Sequence, residues 1–442
     1  MPPLLRLQLS PPKLNLCSLS ILSHTSLLPA VPCRVLCKRC FCAREIHSRQ
    51  PIFDLRLRVF AYELLFRGGP QNAFQPYANA SASVIADSIT LFDLQLLTGH
   101  ARAFVNVDEL ALRLGAPRLL PPNRIVVEIL ETVQPTDEIL AICCELRDAG
   151  YFFALDDFVD APHSRPFVEL AHFLKVDFQL LDPEARKSLA AKYRSPALSL
   201  IAEKVETQRD LDEARSLGFT YFQGYFFCKP SMIETRDVPG NKLVQLQLLN
   251  AVAASDLDFN RIEGLLKLEP SLLYRLLRYL NSPVLGLRSE VHSVRQAFTL
   301  LGEREFCRWL SIFAVIALSS GKPPELIRTA LTRAYFCEEI AGPAGLQDQS
   351  SSLFLMGLLS VADALLDKPM SDVLTQLPVS QEVKAALCGG QNRFRDVYEV
   401  LLAMERAEWQ VLGERAARLG QIEEILPDTY KLAIQRAAAL TF

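Results

Sequence analysis

The sequence predicts an α/β domain built as a closed barrel, followed by an all-α domain, and three observations carry that reading. Between residues 48 and about 235, short apolar runs alternate with amphipathic helical stretches, the pattern of repeated βα units. Almost every apolar run contains or ends in an acid, an amide or a lysine. After Pro230 and Pro239-Gly240 the strand pattern stops and only helical periodicity remains. The 442 residues suffice for two or three domains, which we divide as 1–47, 48–235 and 236–442.

Composition narrows the function classes. Half the residues are hydrophobic and the formal net charge is −3, which suits a soluble globular protein and gives no electrostatic case for a nucleic-acid polymer as partner. No stretch reaches the ~18 apolar residues of a membrane span. The densest, Phe306 to Leu318, is interrupted by Arg308. Of the eleven cysteines, Cys143, Cys144, Cys228, Cys307, Cys337 and Cys388 are scattered among apolar segments. They read as free thiols in a reducing cytoplasm rather than a disulfide framework.

Residues 1–47 have prolines at 2, 3, 11, 12, 29 and 32 and one acid, Glu45, against six Lys or Arg. The basic residues follow the apolar run, the reverse of a secretory signal. Cys33, Cys37 and Cys40 have the C-x3-C-x2-C spacing of iron–sulfur ligands in radical enzymes, but precede any strand. We read the segment as disordered, or as upstream sequence translated from too early a start.

The strands are expected at Val59–Phe66, Ala103–Val107, Ile125–Leu130, Tyr151–Leu155, Phe173–Val176, Leu198–Ala202 and Tyr221–Phe227. Thr136–Ala149 and Asp210–Leu217 have helical spacing between them. Seven or eight such units favour a closed barrel, with an open sheet as the alternative. Glu63, Asn106, Glu128, Asp156 with Asp157, Lys175 with Asp177, Glu203 and Gln223 fall one or two to a strand. Strand ends converge on the C-terminal mouth of a barrel, where active sites form. Adjacent Asp156 and Asp157 repel and need compensation, by solvent in a turn or by a divalent cation. Oxygen ligands at this density suit Mg²⁺ or Mn²⁺, and no His/Cys set matches zinc.

These residues stand in a series that resembles the EAL domain family, cyclic-di-GMP phosphodiesterases with a modified (β/α)8 barrel. The series runs Arg49-Gln50-Pro51-Ile52, Tyr62-Glu63-Leu64-Leu65-Phe66-Arg67, Val105-Asn106-Val107, Glu128-Ile129-Leu130-Glu131, Leu155-Asp156-Asp157-Phe158, Lys175-Val176-Asp177, Ala202-Glu203-Lys204-Val205 and Gln223-Gly224-Tyr225. The resemblance implies a two-metal site. Glu63, Asn106, Glu128, Asp156 and Glu203 would hold the first cation, and Asp157 and Asp177 would help with the second. It implies that Lys175 orients the attacking water, that Glu203 and Glu131 belong to the catalytic set, and that Gln50, Arg67 and Gln223 meet the nucleotide. Glu131 would anchor the loop after the paired aspartates, which in the family serves the second cation, substrate binding and dimerisation. That loop lacks both family glycines, reading Asp157-Phe158-Val159-Asp160-Ala161, so any positive-φ geometry in it would be strained. Lys204 replaces a glycine beside a metal ligand.

In the second half, Leu243–Ala254, Ile262–Leu268, Ser271–Leu280, Glu303–Leu318 and Phe394–Arg418 have helical periodicity. Leu268-Glu269-Pro270-Ser271-Leu272-Leu273, Leu276 to Ser282, Val294-Arg295-Gln296-Ala297 and Phe354 to Met370 resemble the HDOD family, a helical signalling domain related to HD phosphohydrolases. Ser360-Val361 stands where catalytic relatives have their His-Asp pair, and His292 reads as a packing or surface residue. The two resemblances together imply a bacterial-type EAL–HDOD signalling protein with cyclic di-GMP as its ligand. A protein partner would meet the HDOD half, and two copies would pair through the EAL half. Two readings follow: hydrolysis to linear pGpG, or an inactive barrel that binds cyclic di-GMP or a protein and signals through HDOD.

Overall fold

The structure, a computed structural model, describes residues 46–66, 91–229, 240–254, 257–281, 291–420 and 422–440. Arg67 and the cysteines at 33, 37 and 40 lie outside the described residues. Eight strands close a barrel in chain order: β1 (Ile46–Asp54), β2 (Val59–Phe66), β3 (Arg102–Val107), β4 (Ile125–Ile129), β5 (Phe152–Leu155), β6 (Phe173–Asp177), β7 (Ser199–Glu203) and β8 (Tyr221–Gln223). The strand β1 runs antiparallel to both of its neighbours, and every other pairing is parallel. A tight turn makes this possible. Asp54 Oδ1 accepts the backbone N–H groups of Arg56 at 2.8 Å and Arg58 at 2.9 Å, which folds the chain straight back.

Two expectations are corrected here. The strand β1 was not expected, because Arg49, Gln50 and Pro51 break its apolar run; that polarity belongs to a strand whose inner face reaches the barrel mouth. The last strand ends at Gln223 rather than Phe227, because Gly224 turns the chain at φ 143°. A Cβ at Gly224 would lie 2.1 Å from the Val205 carbonyl oxygen, so no side chain fits there.

The remaining described elements are helical. The helix Val294–Leu318 packs on Gly240–Ala253 and Pro270–Leu280, and Pro324–Glu339 packs on Ser350–Leu359 and Leu426–Ala438. Val294–Leu318 begins before the expected Glu303 and kinks at Gly302, whose φ is 73°. The single helix expected over Phe394–Arg418 is two, Arg393–Glu405 and Trp409–Arg418, separated by a left-handed Ala407. No helix among the described residues is long and apolar enough to cross a membrane. Six cysteines, from Cys143 to Cys388, are free thiols.

The helical half meets the barrel at the β1–β2 hairpin. A two-strand hairpin needs no crossover helix, so its outer face is left for another element to cover. Arg393–Glu405 and Leu426–Ala438 pack on β1. Tyr62, almost wholly buried, donates its hydroxyl to Glu325 Oε2 at 2.9 Å, and Arg328 donates to both Glu325 and the tyrosine.

Candidate metal centre at the barrel mouth

Strand periodicity builds the site. Ile52, Ala61, Phe104, Val126, Ala154, Phe173 and Ile201 point into the barrel and form a closed apolar floor. Successive side chains alternate faces, so the residue two positions further along each parallel strand rises above that floor on the same side. Those residues are Glu63, Asn106, Glu128, Asp156, Lys175 and Glu203, with Gln223 two beyond Tyr221. In antiparallel β1 the same layer lies two residues earlier, at Gln50. The register agrees, pairing Gln50 with Glu63 and Asn106 with Glu128.

Lys175 stands at the centre of this layer, 1 % exposed. Its Nζ lies 3.2 Å from Glu63 Oε2, 3.0 Å from Asp156 Oδ1 and 2.8 Å from Glu203 Oε1, and it also donates to Glu128 Oε1. Burial alone would discharge this ammonium. Its carboxylate neighbours, Asp156 and Glu128 first, instead hold its pKa well above the usual lysine range. Four carboxylates against one ammonium still leave an excess of negative charge. Burial pushes Glu203 up to about 8 and Glu128 well above its ordinary value, in both cases against the pull of Lys175. Both raised carboxyls hold their protons more tightly than free ones do, and a bound cation would favour their release.

The donor atoms fit a hard cation. The buried oxygens Asn106 Oδ1, Glu128 Oε2, Glu203 Oε2 and Gln223 Oε1 receive no hydrogen bond from the protein. Unsatisfied buried oxygens are uncommon in folded proteins, and four in one layer call for a ligand that accepts lone pairs. Gln223 Nε2 donates to Glu63 Oε2 at 2.6 Å and Gln50 Oε1 at 3.0 Å, and Asn106 Nδ2 donates to Glu63 Oε1 at 3.2 Å. These amide donors fix the carboxylate from behind. A second group adjoins the first: Glu131, Asp156 and Asp157 each offer an oxygen within 4.8 Å of the others.

Asp177 is differently engaged. Its Oδ1 accepts the backbone N–H groups of Gln179 at 2.6 Å and Leu180 at 3.1 Å, and its Oδ2 pairs with Lys204 Nζ. The strain anticipated in the loop after the aspartates lies elsewhere. None of Val159, Asp160 and Ala161 has a positive φ; Asp157 (40°) and Lys204 (52°) do, one residue beyond the site layer on β5 and β7. The loop is held by local polar contacts instead. Asp160 pairs with Arg165, Lys192 and the Tyr193 hydroxyl, and Ser164 Oγ donates to the carbonyls of Val159 and Ala161.

Above the layer is a cavity of about 420 Å³ whose wall includes Gln50, Asp156, Glu203 and Tyr225 and also Arg406 to Glu408 of the helical half. Gln50 bridges the two: Nε2 donates to the Glu405 carbonyl at 2.8 Å while Oε1 accepts from Gln223. Glu405 is itself held by Arg333 in a buried bidentate pair at 3.0 and 2.6 Å, and Arg333 also donates to Ser360 Oγ at 3.2 Å. At the place of a His-Asp pair the helical half thus has a hydroxyl serving an ion pair. Sequence reasoning missed Arg406 and its neighbours, because no Gly or Pro marks the break at Ala407.

Comparison with known proteins agrees with this architecture. The EAL domain family matches residues 50–230 and the HDOD domain family residues 239–386. The Vibrio cholerae cyclic di-GMP phosphodiesterase CdgJ is 34 % identical over 378 residues, covering 84 % of this chain and 88 % of that protein. The uncharacterised Bacillus subtilis protein YuxH is 31 % identical, covering 86 % and 95 %. Among solved structures, Bacillus subtilis YkuI, an EAL-domain protein in complex with c-di-GMP and calcium, is 21 % identical with a TM-score of 0.36, covering 61 % of this chain and 72 % of that one.

Proposed function

We propose, for a chain that belongs to the family in which an EAL domain is followed by an HDOD domain, that it serves cyclic di-GMP signalling as a metal-dependent phosphodiesterase cleaving the cyclic dinucleotide to linear pGpG. The observation that carries this reading is the layer of four carboxylates around Lys175, with four buried oxygens left without donors. We take residues 48–235 as the barrel domain and 236–442 as the helical one. The helical domain is proposed as the arm that meets a protein partner.

Bound Mg²⁺ or Mn²⁺ would supply Lewis acidity and a water made nucleophilic at neutral pH. Glu63, Asn106, Glu128, Asp156 and Glu203 are the proposed holders of the first cation; Asp157 and Asp177 are proposed for the second, with Glu131 beside them. Lys175 keeps the carboxylates gathered and is proposed to orient the attacking water. Gln223 fixes Glu63, and Gln50 and Gln223, both on the cavity wall, are proposed to meet the substrate. Two measurements test the reading. The full chain incubated with cyclic di-GMP and Mg²⁺ or Mn²⁺ should yield linear product on chromatography; no product overturns cleavage. Calorimetric titration of the metal at pH 7, in two buffers of different ionisation enthalpy, should show proton release, because a bound cation lowers the raised carboxyl pKa values. Absence of any binding heat in both buffers would remove the cation from this layer.

One observation favours binding without cleavage: Lys204 occupies Asp177, a proposed ligand of the second cation. Lys204→Gly should raise turnover about threefold or more by freeing that carboxylate, while stability changes by less than ~1 kcal/mol, because relief of positive φ and the two backbone N–H groups that stay on buried Asp177 offset the loss of a half-exposed lysine. Unchanged turnover would show that Lys204 does not compete for the site.

A further inference from the structure

The wall of the cavity opposite the carboxylates comes from the helical domain. The helix Arg393–Glu405 ends against the barrel, where its last carbonyl accepts from Gln50. It is closed by a pair of backbone bonds: Glu408 N–H donates to the Ala403 carbonyl at 2.8 Å and Ala407 N–H to that of Met404 at 3.2 Å. This is a Schellman end, with Ala407 in the left-handed conformation usually given to glycine. The consequence is positional. Arg406, the residue between the last helical turn and the reversal, is held on the rim of the cavity, its guanidinium 5.6 Å from the centre of the Tyr225 ring.

Among the cationic residues of this rim, Arg406 is the least engaged. Lys204 is paired with Asp177 and Lys229 with Glu206 at 2.8 Å. The acid beside Arg406, Glu408, is 3.9 Å away, beyond hydrogen-bond distance, and both side chains are about half exposed. A cyclic dinucleotide carries two phosphodiesters. The carboxylate layer and its cations account for the one that is cut; the other arrives as a second negative charge, and among the described residues the cations on the cavity wall are Lys204, Lys229 and Arg406. A guanidinium fork matches two phosphate oxygens at once.

We propose that Arg406 is a substrate-binding residue supplied by the helical domain, receiving the phosphodiester of cyclic di-GMP that is not cleaved. The inference rests on the phosphodiesterase reading and deepens it, because it makes the nucleotide site a joint product of the two domains. Docking of the helical domain on β1 then sets substrate affinity, through the Gln50–Glu405 contact that fixes where Arg406 stands.

The test is calorimetric titration of the full chain with cyclic di-GMP in Ca²⁺, for the natural protein, Arg406→Gln and Arg406→Lys. Arg406→Gln should bind about tenfold more weakly, the loss of one charge-assisted contact, and Arg406→Lys should recover part of that loss. Both variants should melt at the natural temperature. Equal affinity of the natural protein and Arg406→Gln overturns the proposal. Equal weakening of the two variants overturns it as well, since it would make the effect independent of charge. A natural protein that binds no cyclic di-GMP sinks the phosphodiesterase reading, and the inference with it.

Discussion

Lys175→Met should lose turnover by about a thousandfold and, in EDTA, leave the chain about 3–5 kcal/mol less stable. The natural side chain is the only cation within reach of four carboxylates in the described layer, and those carboxylates are almost fully enclosed. Removing it leaves buried charges that must either repel or take up protons. The pH dependence follows from that choice. A carboxyl whose folded pKa is raised gives its full stability below the unfolded value near 4.3 and loses it as pH rises through the folded one. Glu203 already stands at about 8 with Lys175 present, and the lysine's removal takes away its downward pull on Glu128, Asp156 and Glu203. The variant should therefore weaken steadily from about pH 4 upward, with the loss continuing past pH 8, in urea unfolding. Added Mg²⁺ or Mn²⁺ should restore much of the stability, since a cation would replace the lost charge, but not the turnover. Turnover within twofold of the natural protein would remove Lys175 from the mechanism.

Arg333→Met should destabilise the chain by a similar ~3–5 kcal/mol, for a related reason in a different place. Arg333 and Glu405 are each about 95 % or more buried, and the guanidinium donates two hydrogen bonds to the carboxylate. Taking one partner away strands the other. The double variant Arg333→Met with Glu405→Leu should recover most of the loss, because an apolar pair of similar volume pays no desolvation penalty. Chemical denaturation of the four proteins of this cycle measures the coupling. A single-variant loss below ~1 kcal/mol would mean that the pair is not buried in solution as it is here. The location gives this pair a second consequence. The Glu405 carbonyl accepts from Gln50 Nε2, so loosening the pair should also weaken nucleotide binding, whereas a core lesion far from β1 should not.

The two variants separate what was readable in the chain from what was not. Glu63, Asn106, Glu128, Asp156, Lys175, Glu203 and Gln223 could be picked out as a set because strand periodicity is local: each has an apolar residue two positions earlier, and together they recur once per βα unit. The division into a barrel half and a helical half was legible for the same reason, since periods of two and 3.6 are written over a few residues. The strand β1 escaped notice because its inward-facing positions are polar where they reach the mouth.

Local pattern thus determined which residues share the barrel mouth and which half of the chain is purely helical. Only the closed tertiary structure decided that Lys175 is ringed by four carboxylates from β2, β4, the end of β5 and β7, that Asp177 is taken by Lys204, and that Arg406 stands on the rim of the same cavity. Those facts depend on the closure of a barrel and the docking of a helix pair on β1, which bring together residues as far apart as Gln50 and Glu405. The left-handed turn at Ala407 has no glycine to announce it. Its geometry is imposed by the backbone bonds that end the helix and the packing that holds Glu405 against the barrel, and neither exists until the chain has folded.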